Sequence, residues 1–291
     1  MGCHYHLPVA VQHHLRLGPD EMAGNDGLGR YVFLPGDPSR AARIAERFVD
    51  ARAIANPRGL DAWIGSLPGD DGDEPIDVLT VATGIGAGST EVVVHELLAC
   101  GARRLLRVGS CGSMTERIVP GQVVLAVGAV RDEAATSHYA PPEYPAMAHP
   151  DALAAMSEGA RRTGLAGETF RGLCHSKASL FAREFGHGPA AERNRRYHEE
   201  LVRAGVVASE MEASTLFVVA ATAGAWCGPL DDNWVEERQA GAVLAVFGTD
   251  TSNMRLDPEL PRLAEQRAID IAIEGTRVWA RRDRRNTGKG T

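Results

Sequence analysis

The sequence predicts an α/β protein of one domain, with a mixed or parallel central sheet covered by helices on both sides. Short apolar runs rich in β-branched residues alternate with longer helical patterns, the arrangement expected when strands pair inside a sheet and helices cover its faces. The length of 291 residues suits one large core, and neither an internal repeat nor an interdomain linker breaks the pattern.

Taken in order, "YVFL" (31–34) reads as a strand. Asp37 followed by Pro38 marks a helix start over 38–48, with an N-cap acceptor and then a residue whose φ is already helical. "DVLTVAT" (77–83) is the next strand, and Ser89, Thr90 and Glu91 open a helix over 89–100. "RLLRVG" (104–109) and "QVVLAVGAV" (122–130) are strands buried on both faces. Helical patterns cover 151–163, 191–204, 210–223 and 258–280, the last with Leu260, Leu263, Ala264, Ala268, Ile271 and Ala272 on one stripe. "AVLAVFG" (242–248) completes the strands. Two stretches read as surface additions, the acidic turn "PGDDGDEP" (68–75) and the loop "WCGPLDDNWVEERQA" (226–240). The boundaries that follow are an N-terminal segment over 1–30, a domain over 31–282 and a charged, mobile tail over 283–291.

Composition narrows the function. Hydrophobic residues make up 44% and charged residues 24%, as in ordinary globular proteins. A net charge of −7 argues against a surface built to neutralise nucleic-acid phosphates, and the basic tail reads as a solvated terminus. The five cysteines, Cys3, Cys100, Cys111, Cys174 and Cys227, stand far apart without a CxxC, which suits reduced thiols in a cytoplasmic protein. No apolar run approaches the roughly 20 residues that span a bilayer, so no membrane is expected as a partner. His4, His6, His13 and His14 lack the carboxylate or thiol neighbours that would complete a metal site, so no metal is expected.

Ligands of open α/β sheets settle where strands end and helix N-termini begin. Three such points are rich in glycine. "FLPGDPSR" (33–40) turns at Gly36 and brings Arg40 into a first helical turn; "ATGIGAGST" (82–90) offers backbone amides; "LRVGSCGSM" (106–114) sets Arg107 near a strand end with Ser110 on the following loop. The "GIGAGS" run imitates a dinucleotide fingerprint but lacks its spacing. "ASEMEAST" (208–215) has two readings. Ser209 and Glu212 form a capping box for a helix, and Glu210 and Glu212, flanking Met211, are also placed to grip vicinal hydroxyls.

Together these motifs resemble the nucleoside phosphorylases of the uridine phosphorylase type. The likeness runs in order through "LPGDPSRAARIAERF", "TVATGIGAGSTEVVVHELLACGARRLLRVGSCGSM", "VRDEAATSHYAPPEYPAMAHP" and "AGVVASEMEASTLFVVAATAG", covering most of 31–224. It implies a nucleoside phosphorylase fold, in which a mixed sheet partly closes into a barrel, and a homohexamer, or at least a dimer with shared active sites. It implies phosphorolysis, with inorganic phosphate as co-substrate and no further cofactor, giving free base and ribose 1-phosphate. By the resemblance, Gly36, Arg40, Arg107 and Ser110 bind phosphate with Arg58 of a neighbouring subunit. Met211, Glu212 and Glu210 surround the ribose, and His14, also lent by a neighbour, meets its 5′ position. Cys111 and Gly112 line the base site.

Departures fall in the base pocket. Where the family shows a Phe-Tyr pair followed by glutamine and arginine, this chain has Leu180 and Phe181, then Glu184 and Gly186. Phe181 and Glu184 are thus the expected base contacts. Asp250 lies near an aspartate that protonates the base in purine-specific relatives, and reads equally as a surface-loop residue. Gly59 stands where cation-binding members carry a glutamate, so no cation site is expected. A pyrimidine nucleoside, uridine or a modified uridine, is the expected substrate; a purine nucleoside and noncatalytic nucleoside binding are the alternatives.

Overall fold

Parallel pairing of β1 (Tyr31–Leu34) with both β4 (Ile76–Val81) and β5 (Arg104–Ser113) forms the centre of the sheet. The computed structural model describes residues 11–70, 73–225, 238–249 and 259–286. Beyond β4 the sheet continues through two antiparallel strands, β3 (Ala62–Leu67) and the exposed edge β2 (Val49–Ile54). On the other side β5 bends into a closed ring. It pairs in parallel with β10 (Gln239–Thr249); β10 pairs antiparallel with β6 (Val123–Asp132), β6 in parallel with β8 (Thr169–Lys177), and β8 in parallel with β9 (Val206–Glu210), which returns antiparallel to β5. A short β7 (Ala146–Met147) flanks β6. The mixed sheet and its partial closure agree with the expected fold.

Helices cover both faces. α3 (Ala87–Ala99) and α6 (Ala213–Thr222) pack into one apolar core, and α2 (Pro38–Ala45), α4 (Pro150–Arg162) and α7 (Glu259–Asn286) into the other. β5 shows how one strand feeds both: Leu105 belongs to the first core, while Leu106 and Val108 belong to the second. Among the described residues, α1 (Pro19–Met22) and α5 (Ala191–Arg203) complete the set of α-helices. As expected from Asp37 and Pro38, α2 starts with the Asp37 carboxylate accepting the Ser39 amide at 2.9 Å.

Several expectations are corrected. β5 does not stop at Gly109 but runs to Ser113, because β10 supplies parallel partners up to Thr249; Ser110 therefore sits on a strand and not on a loop. β2, β3, β7, β8 and β9 and helix α1 add elements that apolar runs did not reveal. Residues 283–286, expected to belong to a mobile tail, are helical. α7 continues to Asn286, and Asp283 is buried, accepting from Arg104 Nε at 2.8 Å, Arg104 Nη2 at 2.9 Å and Tyr31 Oη at 2.6 Å. Most of the 226–240 loop and Asp250 lie outside the described residues.

This ion pair fastens the last helix to β1 and β5. Removing one partner of a buried pair costs about 3–5 kcal/mol because the other charge stays buried. Asp283→Ala should therefore lower the thermal unfolding midpoint, followed by circular dichroism, by roughly 10 °C. An unmoved midpoint would show that the pair does not hold the helix.

Candidate active site

A cavity of about 650 Å³ opens where β1, β5, β8, β9 and β10 end. Its wall includes Gly36, Arg40, Arg107, Ser110, Cys111, Gly112, Glu184, Glu210, Met211 and Glu212. Those sequence-predicted residues come together from separate stretches of chain. A volume of this order suits a small organic ligand.

Arg107 is the centre of the site. Its side chain is 5% exposed, with Nε 3.0 Å from Glu210 Oε2 and Nη2 bonded to Glu212 Oε2. Burial opposes its charge, but Glu212 and Glu210 outweigh that effect and raise its pKa. Among the described residues, Nη1 is buried without a hydrogen-bond partner. A buried donor left open in a cavity wall is the feature a ligand acceptor would satisfy. The glycine beside it now has a reason: a Cβ on Gly109 would lie 2.7 Å from the guanidinium carbon of Arg107. Here the small residue makes room for the arginine itself.

The two carboxylates around Met211 have different jobs. Glu210 is fully buried and accepts the backbone amides of Glu212 at 2.9 Å and Ala213 at 2.9 Å, so it caps α6 while holding Arg107. The expected capping box is thus corrected, since α6 begins at Ala213 and Ser209 lies on β9. Glu212 sits at the N-cap position without capping its own helix. Its Oε1 instead accepts the Gly86 amide at 2.6 Å, at the start of α3. Burial pushes the Glu212 carboxyl above the usual range, against the pull of Arg107.

Arg40 reaches the same cavity from α2, bonded to Glu265 Oε2 at 2.9 Å and to the Val108 carbonyl at 3.1 Å. Burial lowers its pKa, Glu265 opposes that effect, and Arg107 lowers it further, the mark of two guanidinium groups close enough to repel. Glu265, on α7, had no local sequence signal. It is tied to Arg40 only across 225 residues.

On β8 lies a residue that sequence reasoning missed. Lys177 is 2% exposed and lines the cavity. Its Nζ donates to Ser209 Oγ at 2.7 Å and pairs with Glu184 Oε2 at 2.9 Å, while Ser209 Oγ donates to the same carboxylate oxygen at 2.8 Å. Burial alone would raise the Glu184 carboxyl, but Lys177 and the Ser209 hydroxyl hold it below the usual range. Glu184 belongs to a single wide turn (Leu180–Glu184) clamped by its neighbour Arg183, which donates to Asp132 at 2.6 and 2.7 Å and to Asn194 at 2.9 Å. The only signal for Lys177 was its place near Glu184 in "KASLFAREFGHG".

Phe181 is corrected. The wide turn puts Leu180, Glu184 and Phe185 on the cavity side and leaves Phe181 62% exposed. Phe185 lines the wall in its place.

His14 and Arg58 do not line this chain's own cavity. They share a surface instead. The Asn56 side chain donates from Nδ2 to the His14 carbonyl at 2.7 Å and accepts the Arg58 amide at 2.9 Å. Glu96 fixes the His14 ring through Nδ1 at 2.6 Å and takes the Leu15 amide at 2.8 Å. Arg58 is exposed.

A mixed sheet closing into a barrel, with paired arginines and carboxylates at its strand ends, defines a ligand-binding α/β protein of one recognisable class. Residues 30–230 match the phosphorylase superfamily, and the chain belongs to that family. A uridine phosphorylase from Treponema pallidum is 30% identical over 88% of this chain and 92% of its own. One from Thermococcus kodakarensis is 31% identical over 94% and 88% respectively. A guanosine phosphorylase from Halorubrum lacusprofundi is similarly close, at 31% identity over 88% of this chain and 96% of its own.

Burial pushes the Cys111 thiol in the cavity wall up to about 12, with Glu210 adding to the effect, and Cys100 likewise to about 12. Thiolate is the reactive form, so both should alkylate about a thousandfold more slowly than a free thiol near neutral pH. Iodoacetamide labelling of the native protein, mapped by mass spectrometry, should leave both unmodified. Fast labelling of Cys111 would contradict the environment described.

Proposed function

We propose that this protein cleaves nucleosides by phosphorolysis, passing the ribosyl group to inorganic phosphate, with a uridine-type pyrimidine nucleoside as substrate. The observation that carries the reading is the buried Nη1 donor of Arg107, unpaired among the described residues, on the wall of a cavity that Arg40 also enters. Gly36, Arg40, Arg107 and Ser110 would hold phosphate near C1′, and Met211 and Glu212 the ribose. Glu210 orients Arg107. Cys111, Gly112 and Glu184 would face the base. Such a site needs no covalent intermediate, since an oxyanion held beside C1′ and a stabilised leaving base lower the barrier together. The family relationship and the uridine phosphorylase relatives support the reading.

A purine nucleoside is the second reading, favoured by the guanosine phosphorylase relative and by the altered base pocket. The site would be completed by a second copy of the chain. His14 and Arg58 lie away from their own cavity but together on one surface, linked through Asn56, as two residues delivered across a shared interface would be.

Mixed with uridine and phosphate, the protein should release uracil and ribose 1-phosphate, and without phosphate it should release neither. Arg107→Ala should lower turnover by about a hundredfold or more and weaken saturation by phosphate. Base release indifferent to phosphate would overturn the reading.

Co-expressing Arg58→Ala with Arg107→Ala chains tests the shared site. In reciprocal pairs about a quarter of the sites would regain both arginines, so activity should return although each variant alone is inactive. No recovery would leave Arg58 outside the site.

A further inference from the structure

Among the described residues three cations line the cavity, Arg40, Arg107 and Lys177. The two guanidinium groups lie close enough to repel. Lys177 reaches the wall from β8, and its direct partners differ. A lysine is almost never fully buried unless paired, and this one is paired at the wall of a cavity, where the ammonium and carboxylate each keep capacity to spare. An ammonium has three donors, of which Ser209 and Glu184 account for two. On Glu184, Oε2 takes the contacts with Lys177 and Ser209, while Oε1 lies against Gly112, where a Cβ would come within 3.1 Å of it, and His198 adds a further favourable interaction with the carboxylate. The Arg107 guanidinium lies over Gly109 and the Glu184 carboxylate over Gly112.

We propose that Lys177 and Glu184 together read a base edge that carries a carbonyl oxygen beside a ring N–H, and that Lys177 stabilises the charge on that oxygen as the base departs. The inference rests on the phosphorolysis reading above and names its substrate class: nucleosides of uracil-type or 6-oxopurine bases, with cytidine and adenosine excluded. The carboxylate accepts the ring N–H and the ammonium donates to the oxygen. As a phosphate oxygen bonds C1′ and the C1′–N bond breaks, the electron pair passes into the base and spreads onto its carbonyl oxygen. The proton carried by hydrogen phosphate ends on the released base by way of solvent. Adenine offers the ammonium no such oxygen, and cytosine, which keeps only its 2-oxygen, presents an unprotonated ring nitrogen to the carboxylate, so the paired contact that strengthens in the transition state is lost.

The wild-type enzyme provides the first test. Its kcat/KM for uridine, inosine or guanosine should exceed that for cytidine and adenosine by at least about a hundredfold, since a site built around buried polar groups rejects a mismatched edge strongly. Comparable rates with the amino bases would overturn the proposal. Lys177→Met supplies the second. With the best oxo-nucleoside it should lose about a hundredfold in kcat, whereas with 4-nitrophenyl β-D-riboside, whose leaving group needs no cation, the loss should be at least about tenfold smaller. Equal losses on both substrates, or a rise in the KM for phosphate as the main effect, would refute it. Should Lys177→Met fail to fold, Lys177→Arg and Glu184→Gln serve instead: the first should keep the preference for oxo-bases and the second should narrow it by about tenfold or more, and the reverse order would overturn the assignment. Failure of the parent reading looks different, because the wild type would then give no phosphate-dependent ribose 1-phosphate from any nucleoside.

Discussion

The buried guanidinium of Arg107 is the constraint around which this site is built. A cation removed from water is tolerated only when it is paired and hydrogen-bonded, and here two carboxylates separated by one residue close on it from the end of β9 and the start of α6. Each carboxylate has a second task. Glu210 caps α6, and Glu212 takes the amide at the start of α3, so a single charged cluster ties two strands to two helices. The cavity therefore sits beside a charged cluster that joins four elements of the fold. Preorganisation of this kind lets a donor meet developing charge without first rearranging.

Local signals were legible in the sequence and long-range ones were not. β1 and β10 announced themselves as apolar runs, and α2 through Asp37 and Pro38, because each depends on residues adjacent in the chain. β8 reads TFRGLCHSK and looks like no strand at all. Its polar end is buried nonetheless, since His175 meets Asp132, Ser176 meets Glu210 and Lys177 meets Ser209, across 32 to 43 residues. A barrel strand of this sort is recognisable only once its partners are known. For the same reason the motif resemblance supplied Arg40 and Arg107, each inside its own quoted motif, but not Lys177, whose meaning comes from Ser209 and Glu184.

Two errors share a physical origin. Small residues after Arg107 suggested a loop that a ligand could approach, yet β5 continues through them, and at Gly109 the vacant volume holds the arginine's own head group. Likewise, Phe181 and Phe185 are equivalent in composition and opposite in phase, since one wide turn decides which ring faces the cavity. Pattern fixes which residue types are near a site. Backbone geometry decides which of them enter it.

The charge balance of the cavity gives the shared-site reading its physical basis. The wall carries Arg40, Arg107 and Lys177 against Asp37, Glu184, Glu210 and Glu212, and Arg40 is further neutralised by Glu265. The described residues of one chain thus offer a phosphate dianion no surplus of positive charge at this wall, only the unpaired Nη1 donor and the polar groups around it. Burial already holds the Glu212 carboxyl above its ordinary range, so adding an anion beside it is costly unless another cation arrives. Under the proposed reading that cation is the exposed Arg58 of a second copy, and its arrival would complete the field at the phosphate end. Lys177 would remain committed to the base end. A division of that kind, with guanidinium groups on the incoming anion and an ammonium on the departing one, places positive charge at both ends of the bond being exchanged, where the transition state is most polar.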